Sequence, residues 1–505
     1  MIPSVDWLAK RARLSPNRVA IIEAATGRRL SYAEWNARAN QAAHALQALG
    51  LRKGDLLAVL STNRLEYLDL LFACNKTGVI LQALNVRLAV PELQAMVQDI
   101  PPRALIYSGD LAEKAAALEE AVPVMVALDE PIRGVHRRWG ELVERASDRP
   151  PDPIPLSLED PWVLCYTGGT TGLPKAAILT YGTITWNAVN TVMSWGLRPD
   201  DLAVLNAPLF HTGGLNVFTT PLVHIGGASV LCAAFDADQV FDLLEREPVT
   251  LFFGVPTMFI RLQQHPRWER ADFSRCLIVI SGGAPCPMPV FERFFEKGVP
   301  FKTGYGLTEA GPNNFWLPDE KTRRKPGSVG SPLFHVEVRV IRDGQDVGPG
   351  EVGELWIRGP HVIPGYWNRP DETARTIVEG WLRTGDLAMF DEEGDFYIVG
   401  RIKDVIISGG ENIYPAEVES AMLGHPDVVE AALIGVPDPE WGEVGRAIVV
   451  RRPGSALTGE ELLAYLRSRL ASYKVPKSIV FVEDLPKTGA GKIDRALLRR
   501  RYGSQ

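Results

Sequence analysis

The stretch LLAVLSTNRLEYLDLLFACNKTGVILQAL, residues 56–84, decides the fold class. Two short and largely apolar runs, LLAVL at 56–60 and VILQAL at 79–84, flank EYLDLLFACNKTG, whose apolar residues recur at helical spacing. Short runs without polar alternation suit strands buried on both faces, and a helix between two of them makes a crossover. Such a unit predicts a parallel sheet covered by helices on both sides.

The same rhythm extends in both directions. Upstream, Ser31 with Glu34 is a capping-box signal for a helix that Gly50 would end. Downstream, ASVLCA at 228–233 reads as a strand, QVFDLLERE as a helix and TLFFGV at 250–255 as a strand. Pro256 stands where it can open the next helix, and CLIVIS at 276–281 is another strand. The segment RPPDPIPLSLEDP at 149–161 is proline-rich and polar, a linker or surface crossing. From about residue 330 short Gly-bounded strands such as EVGELWIRG and GDFYIVGR predict a β-rich subdomain. After Arg401 the pattern changes again. A helix at 416–423, strands near 429–435 and 446–451, a helix at 459–470 opened by Thr458 with Glu461, and a strand at 478–482 form a compact α+β unit. The expectation is an α/β chain. Residues 1–400 make a large N-terminal domain of parallel-type sheets, its β-rich subdomain at about 330–400, and residues 404–505 make a small C-terminal domain.

Composition narrows the function classes. With 46% hydrophobic and 23% charged residues in 505, the chain has the balance of a globular protein, which excludes disorder, collagen and coiled coil as its main state. No run approaches about 18 apolar residues, so no membrane-spanning helix is expected. The start, MIPSVDWLAKRARLSP, lacks a long apolar core followed by a small-residue cleavage site, so no secretory signal is read and a cytoplasmic location is expected. The net charge of −7 argues against a nucleic-acid binder. Five scattered cysteines (Cys74, Cys165, Cys232, Cys276 and Cys286) suit reduced thiols better than a disulfide framework or a zinc site. There is no internal repeat or low-complexity tract.

The strongest chemical signal is YTGGTTGLPK at 166–175. Glycines and threonines ahead of a lysine leave backbone N–H groups free to curl around an anion, with hydroxyls added, as a triphosphate requires. It is not a Walker loop, because Leu173 and Pro174 separate Gly172 from Lys175 and no Ser or Thr follows the lysine. Taken alone, it reads equally well as a Gly/Thr-rich surface turn.

Four further motifs follow in order: GYGLTE at 304–309, RTGD at 383–386, GRIKDVIISGGENIYPAEVE at 400–419 and PKTGAGKIDR at 486–495. Together the five resemble the adenylate-forming superfamily, which includes acyl- and aryl-CoA synthetases, luciferases and the adenylation domains of peptide synthetases. The resemblance covers nearly the whole chain. Two positions depart from the usual pattern: Gly168 replaces a common serine, and Ala176 replaces the glycine that usually follows the lysine.

The resemblance implies roles residue by residue. Thr167, Gly168, Gly169, Thr170, Thr171, Gly172 and Lys175 would hold the ATP phosphates. Tyr305, between Gly304 and Gly306, would stack on adenine opposite Gly283, Ala284 and Pro285. Thr308 would contact the α-phosphate and Glu309 would help hold Mg²⁺, an ion that takes few protein carboxylates alongside phosphates and water. Asp386 would accept from both ribose hydroxyls, as a carboxylate can, with Arg401 in support. Lys492 is implied as the catalytic lysine, and Lys403, within 401–403, as the hinge on which a mobile small domain rotates. His211, in APLFHTGGL, would gate or wall the acyl entrance rather than act as a base. Read without the resemblance, each has a plainer role: a core tyrosine, a turn aspartate, a surface glutamate or lysine, a structurally bonded histidine.

For coenzyme A the implied contacts are Ser408, Gly409 and Gly410 along the pantetheine arm, and Arg87, Trp441 and Lys474 toward the nucleotide end. The basic tail RALLRRRY at 495–502 is a further candidate for CoA or an anionic membrane surface, against the plainer reading of a solvated helix face. The implied reaction joins a carboxylic acid to ATP as an acyl-adenylate, releases pyrophosphate, and passes the acyl group to CoA with release of AMP. No general base for the thiol is assigned. The motif wording looks most like medium- or long-chain fatty-acyl-CoA ligases, with NNFW at 313–316 at the far end of an acyl channel. An aryl-acid ligase of coumarate or benzoate type ranks second, and an adenylation enzyme loading a carrier protein third. A nucleotide-binding regulatory module is the non-enzymatic alternative, and a homodimer is left open.

Overall fold

The computed structural model describes residues 5–131, 136–167, 174–488 and 492–503. Two seven-stranded sheets form its larger part. In the first, Leu56–Leu60 lies at the centre, flanked by Ile80–Ala83 and Ala104–Tyr107 in parallel register. Every residue of these three strands is buried, which accounts for their lack of polar alternation. The intervening helix, Leu65–Thr77, ends at Gly78 with φ +67°. The second sheet runs Lys302–Thr303, Ile278–Ser281, Leu251–Gly254, Leu202–Leu205, Ala228–Leu231, Val19–Glu23 and Arg29–Ser31, parallel until its final hairpin. The capping box at Ser31 opens the helix Tyr32–Ala48, and Pro256 opens Pro256–Gln264, both as expected.

The first sheet does not end on a crossover. Pro161–Thr167 pairs antiparallel with Lys175–Thr180, Thr167 opposite Lys175. A Walker loop passes from strand to helix. Here the strands on either side pair with each other, and Lys175 is the first residue of the second strand. Ala176 has its methyl buried with Leu56, Ile80, Ile100 and Leu164, which explains how the strand accommodates the extra carbon.

A third, antiparallel sheet contains Glu337–Arg342, Gly353–Arg358, Trp381–Phe390 and Phe396–Arg401. The chain then passes through a single 3₁₀ turn, Ile402–Asp404, into a five-stranded sheet spanning Ile406–Ser408 to Ser478–Val482. Its helices are Pro415–Leu423, Gly459–Arg467 and Arg495–Tyr502. The second of these is capped by Thr458 and Glu461 as expected but stops three residues short of 470, where Arg469 N bonds to Leu466 O in a tighter i→i−3 turn. Among the described residues no helix is long and apolar enough to cross a membrane. The five cysteines are free, four of them buried.

Candidate active site

The strand ends of the second sheet, the third sheet and the C-terminal unit converge on one cleft. Strand Trp381–Phe390 carries Asp386, which is only 5% exposed. Its Oδ2 accepts from the Tyr305 phenol at 2.6 Å and its Oδ1 lies 3.0 Å from Arg401 Nε. Burial and then the Asp386 charge raise the Tyr305 pKa well above that of a free phenol, so the phenol stays a donor. Phe315 meets the Tyr305 ring edge-on at 6.0 Å. Gly306 passes so close to the Pro312 carbonyl that a Cβ would lie 2.2 Å from its oxygen. Gly304 bonds to the Ser281 carbonyl at the end of its strand.

Thr308 is buried and Glu309 half-buried at the start of a 3₁₀ turn. Tyr366 donates to Glu309 Oε1 at 2.8 Å. Sequence reading passed over Tyr366, although GYWNRP is an aromatic-rich turn of the kind that marks a site. Glu309 borders a cavity of about 370 Å³ together with Tyr366, Arg383 and Thr384. Lys175 sits under Tyr366, its ammonium 5.5 Å from the ring centre, and pairs with Glu372, another residue the sequence did not single out. That ion pair lowers the Glu372 pKa. The residues Gly168, Gly169, Thr170, Thr171 and Gly172 lie outside the described residues, whereas Thr167 ends its strand opposite Lys175.

Lys492 enters the cleft from the C-terminal unit. A Cβ placed on Gly283 would lie 3.8 Å from Lys492 Cε, so the Gly283–Ala284–Pro285 wall and the lysine face each other. Lys492 is solvent-accessible, yet desolvation and then the Arg401 charge lower its pKa, while Asp386 and Glu309 oppose the shift. The Lys403 pKa is lowered in the same way, by desolvation and by Arg401. Three cations, Arg401, Lys403 and Lys492, thus crowd two carboxylates, an arrangement that favours an arriving polyanion.

His211 caps the short helix Thr212–Asn216, its Nδ1 accepting from Gly213 N at 3.1 Å. Burial, with Lys492 and Arg87 adding to it, pushes its pKa down to about 4. The ring is neutral at pH 7, and with Nδ1 accepting, its proton resides on Nε2. It therefore offers a donor to the cleft and is not a base. Phe253 closes the same wall. Its ring would be 3.4 Å from a Cβ on Gly213 and 3.1 Å from one on Gly282, so both glycines let the ring lie against the backbone.

Two expectations need correction. NNFW does not line an open channel: Asn313 and Asn314 are buried and bonded to Thr191, Val217 O, Gly311 O and His361, while Phe315 backs Tyr305. The basic tail is only partly a free charged face: Arg495 and Arg499 are engaged in ion pairs within the C-terminal unit, while Arg500 and Arg501 are exposed. Of the CoA candidates, Ser408, Gly409, Gly410 and Trp441 come together: Gly409 N bonds to Trp441 O at 2.8 Å, and the indole lies on Gly409. Ser408 is buried and the two glycines are exposed. Lys474 pairs with Glu417 at 2.7 Å. Arg87 stands on the large domain in the field of His211.

A single cleft thus gathers Tyr305 bonded to Asp386, Arg401 beside the same carboxylate, Glu309 under Tyr366, and Lys492 from the C-terminal unit facing Gly283. Residues 8–367 match the model of the AMP-binding enzyme family, and residues 417–492 match its C-terminal domain. The chain belongs to the AMP-binding enzyme family. It is 45% identical over 499 residues to a feruloyl-CoA synthase of Amycolatopsis sp, covering 99% of both chains. It superposes on o-succinylbenzoate CoA synthetase (MenE) of Bacillus subtilis in complex with the acyl-adenylate OSB-AMP with a TM-score of 0.90, 33% identity and 99% coverage of both. It matches ATP-bound MatB of Rhodopseudomonas palustris at TM-score 0.89 and 33% identity, but apo MatB at 0.78 and 32%, each covering 99% of both chains. This AMP-binding enzyme thus matches the ATP-bound form of that relative with a higher score than the apo form.

Proposed function

We propose that this AMP-forming acid–CoA ligase acts on an aromatic carboxylic acid of the hydroxycinnamate type. The motif wording placed fatty acids first and aryl acids second; the relatives reverse that order. The observation that carries the reading is the full-length similarity to a feruloyl-CoA synthase. Phe253 and His211 support it, since a flat ring and a neutral Nε2–H donor suit a planar aryl acid.

In the first half-reaction a carboxylate oxygen attacks the α-phosphorus of ATP, the bond to the β-phosphate oxygen breaks, and pyrophosphate leaves. Two anions must meet, so cations and preorganised donors are what the site has to supply. Lys492 neutralises the attacking carboxylate and the α-phosphate, Thr308 donates its hydroxyl, and Lys175 exchanges Glu372 for phosphate. Tyr305 and Asp386 hold adenine and ribose. Mg²⁺, when bound, screens the phosphate charge. Glu309, its carboxylate held by Tyr366, would hold it, and a single carboxylate suits a cation that draws its other ligands from phosphates and water.

In the second half-reaction the C-terminal unit rotates at Lys403, Lys492 withdraws, and the Ser408–Gly410 turn with Trp441 takes its place. The CoA sulfur attacks the acyl carbon and AMP departs with the bonding electrons. One mobile domain then serves two transition states. The test is kcat/KM for CoA-dependent AMP formation across hydroxycinnamates, benzoates and fatty acids of graded length. The reading requires hydroxycinnamates to lead. A lead for medium- or long-chain fatty acids would reject it, and pyrophosphate release without CoA-dependent AMP would favour a carrier-loading enzyme.

A further inference from the structure

Lys492 follows a long path from the 3₁₀ turn at Ile402–Asp404, yet the two are tied together by charge. Asp404 Oδ1 accepts from Arg499 at 2.7 Å, and its Oδ2 lies 3.7 Å from Arg495 Nε. Both arginines belong to the helix Arg495–Tyr502, which begins three residues after Lys492. Arg495 in turn forks onto Glu419, at 2.6 and 2.8 Å, and Glu419 accepts from Leu433 N at 2.7 Å in the middle of the small sheet. The Asp404, Arg495 and Glu419 side chains are 13%, 20% and 11% exposed, so water screens this chain of charges weakly.

The link continues to the lysine. Asp494 caps the helix through Leu497 N at 2.9 Å, and its own N–H bonds to Pro486 O at 2.8 Å. Thr488 N donates to Lys492 O at 2.7 Å, and Lys487 bridges Ile493 across the loop. The backbone of Lys492 is thereby fixed to the helix, and the helix to Asp404.

We propose that Asp404 is a positioning residue. Through Arg495 and Arg499 it fixes the Lys492 segment to the residue next to the hinge, so that rotation at Lys403 delivers the ammonium to one defined place. Packing of a terminal helix alone would carry no dependence on Lys492, whereas a positioning role does. The inference rests on the reading of Lys492 as the adenylating lysine, and the experiment tests both.

Adenylation is measured as pyrophosphate release and thioester formation as CoA-thioester from supplied aryl-adenylate, in full-length Asp404→Asn, Asp404→Glu, Lys492→Ala and the Asp404→Asn/Lys492→Ala double variant. Asp404→Asn should slow adenylation about tenfold, the scale of one charge-assisted hydrogen bond, and leave the thioester step within about twofold. Asp404→Glu should recover part of the loss. In the Lys492→Ala background the Asn substitution should cost nothing further, because the group it positions is gone. Equal loss in both backgrounds, or loss confined to the thioester step, would overturn the proposal. If Lys492→Ala alone left adenylation intact, the reading of Lys492 would fail first, whatever Asp404 did.

Discussion

The phenol of Tyr305 donates a 2.6 Å hydrogen bond to Oδ2 of Asp386 across 81 residues of sequence. The two residues proposed to hold adenine and ribose are thus tied to each other. Asp386→Asn keeps the shape but removes the charge that Arg401 and the ribose hydroxyls share. Charge-assisted hydrogen bonds contribute about 1.5–3 kcal/mol, so the KM for ATP should rise roughly 10- to 100-fold. Steady-state kinetics at saturating acid would show it, and an unchanged KM would remove Asp386 from nucleotide binding.

Glu372 is paired with the Lys175 ammonium. In the proposed reaction the ATP phosphates take its place. Both side chains are partly exposed, and such pairs contribute about 0.2–1 kcal/mol. Glu372→Gln should therefore lower the KM for ATP by up to about fivefold, while Lys175→Ala should raise it. A rise in both variants would show that Glu372 helps to hold the phosphates rather than competing with them.

The lowered pKa of Lys492 predicts an early alkaline limb. The charged form is needed, and it is lost as pH rises through a pKa below that of an ordinary lysine. The profile of kcat/KM for ATP reports the free enzyme, so it should fall at lower pH than the profile of kcat, where bound phosphates favour the ammonium. Lys492→Arg should abolish the limb, because a guanidinium does not titrate in this range. Coincident limbs in the two profiles would contradict the assignment.

Gly409 has φ +59°, and a Cβ there would lie 2.6 Å from the Trp441 ring. Gly409→Ala must shift the indole or the turn. If this pair forms the pantetheine channel, the thioester step should slow by roughly tenfold or more, since a misplacement of about 1 Å can cost 100-fold. Adenylation should stay near wild type. Slowing of adenylation alone would place the turn elsewhere in the cycle.

Much of this was readable from the chain. Leu56–Leu60 and Ile80–Ala83 announce a parallel sheet because strands buried on both faces carry no polar alternation. Asp386, Glu309 and Lys492 are identifiable because each sits in a short motif whose neighbours are diagnostic. What escaped is what depends on contacts distant in sequence. Tyr366 and Glu372 matter only because a turn and the helix Pro370–Thr376 after it bring them 57 and 197 residues back to Glu309 and Lys175. NNFW looked like a channel lining because amides and aromatics suit one, but Asn313 is committed to Thr191 and Val217. The tail arginines looked like a free basic face because Asp404 and Glu419 lie 95 and 76 residues away from their partners.

The division of labour between two arrangements of one enzyme is the central claim, and Lys492→Ala tests it most directly. The account predicts that pyrophosphate release falls by two orders of magnitude or more, about the loss of 3–4 kcal/mol of charge stabilisation. CoA-thioester formation from supplied aryl-adenylate should stay within a fewfold of wild type. Equal loss of both half-reactions would contradict it.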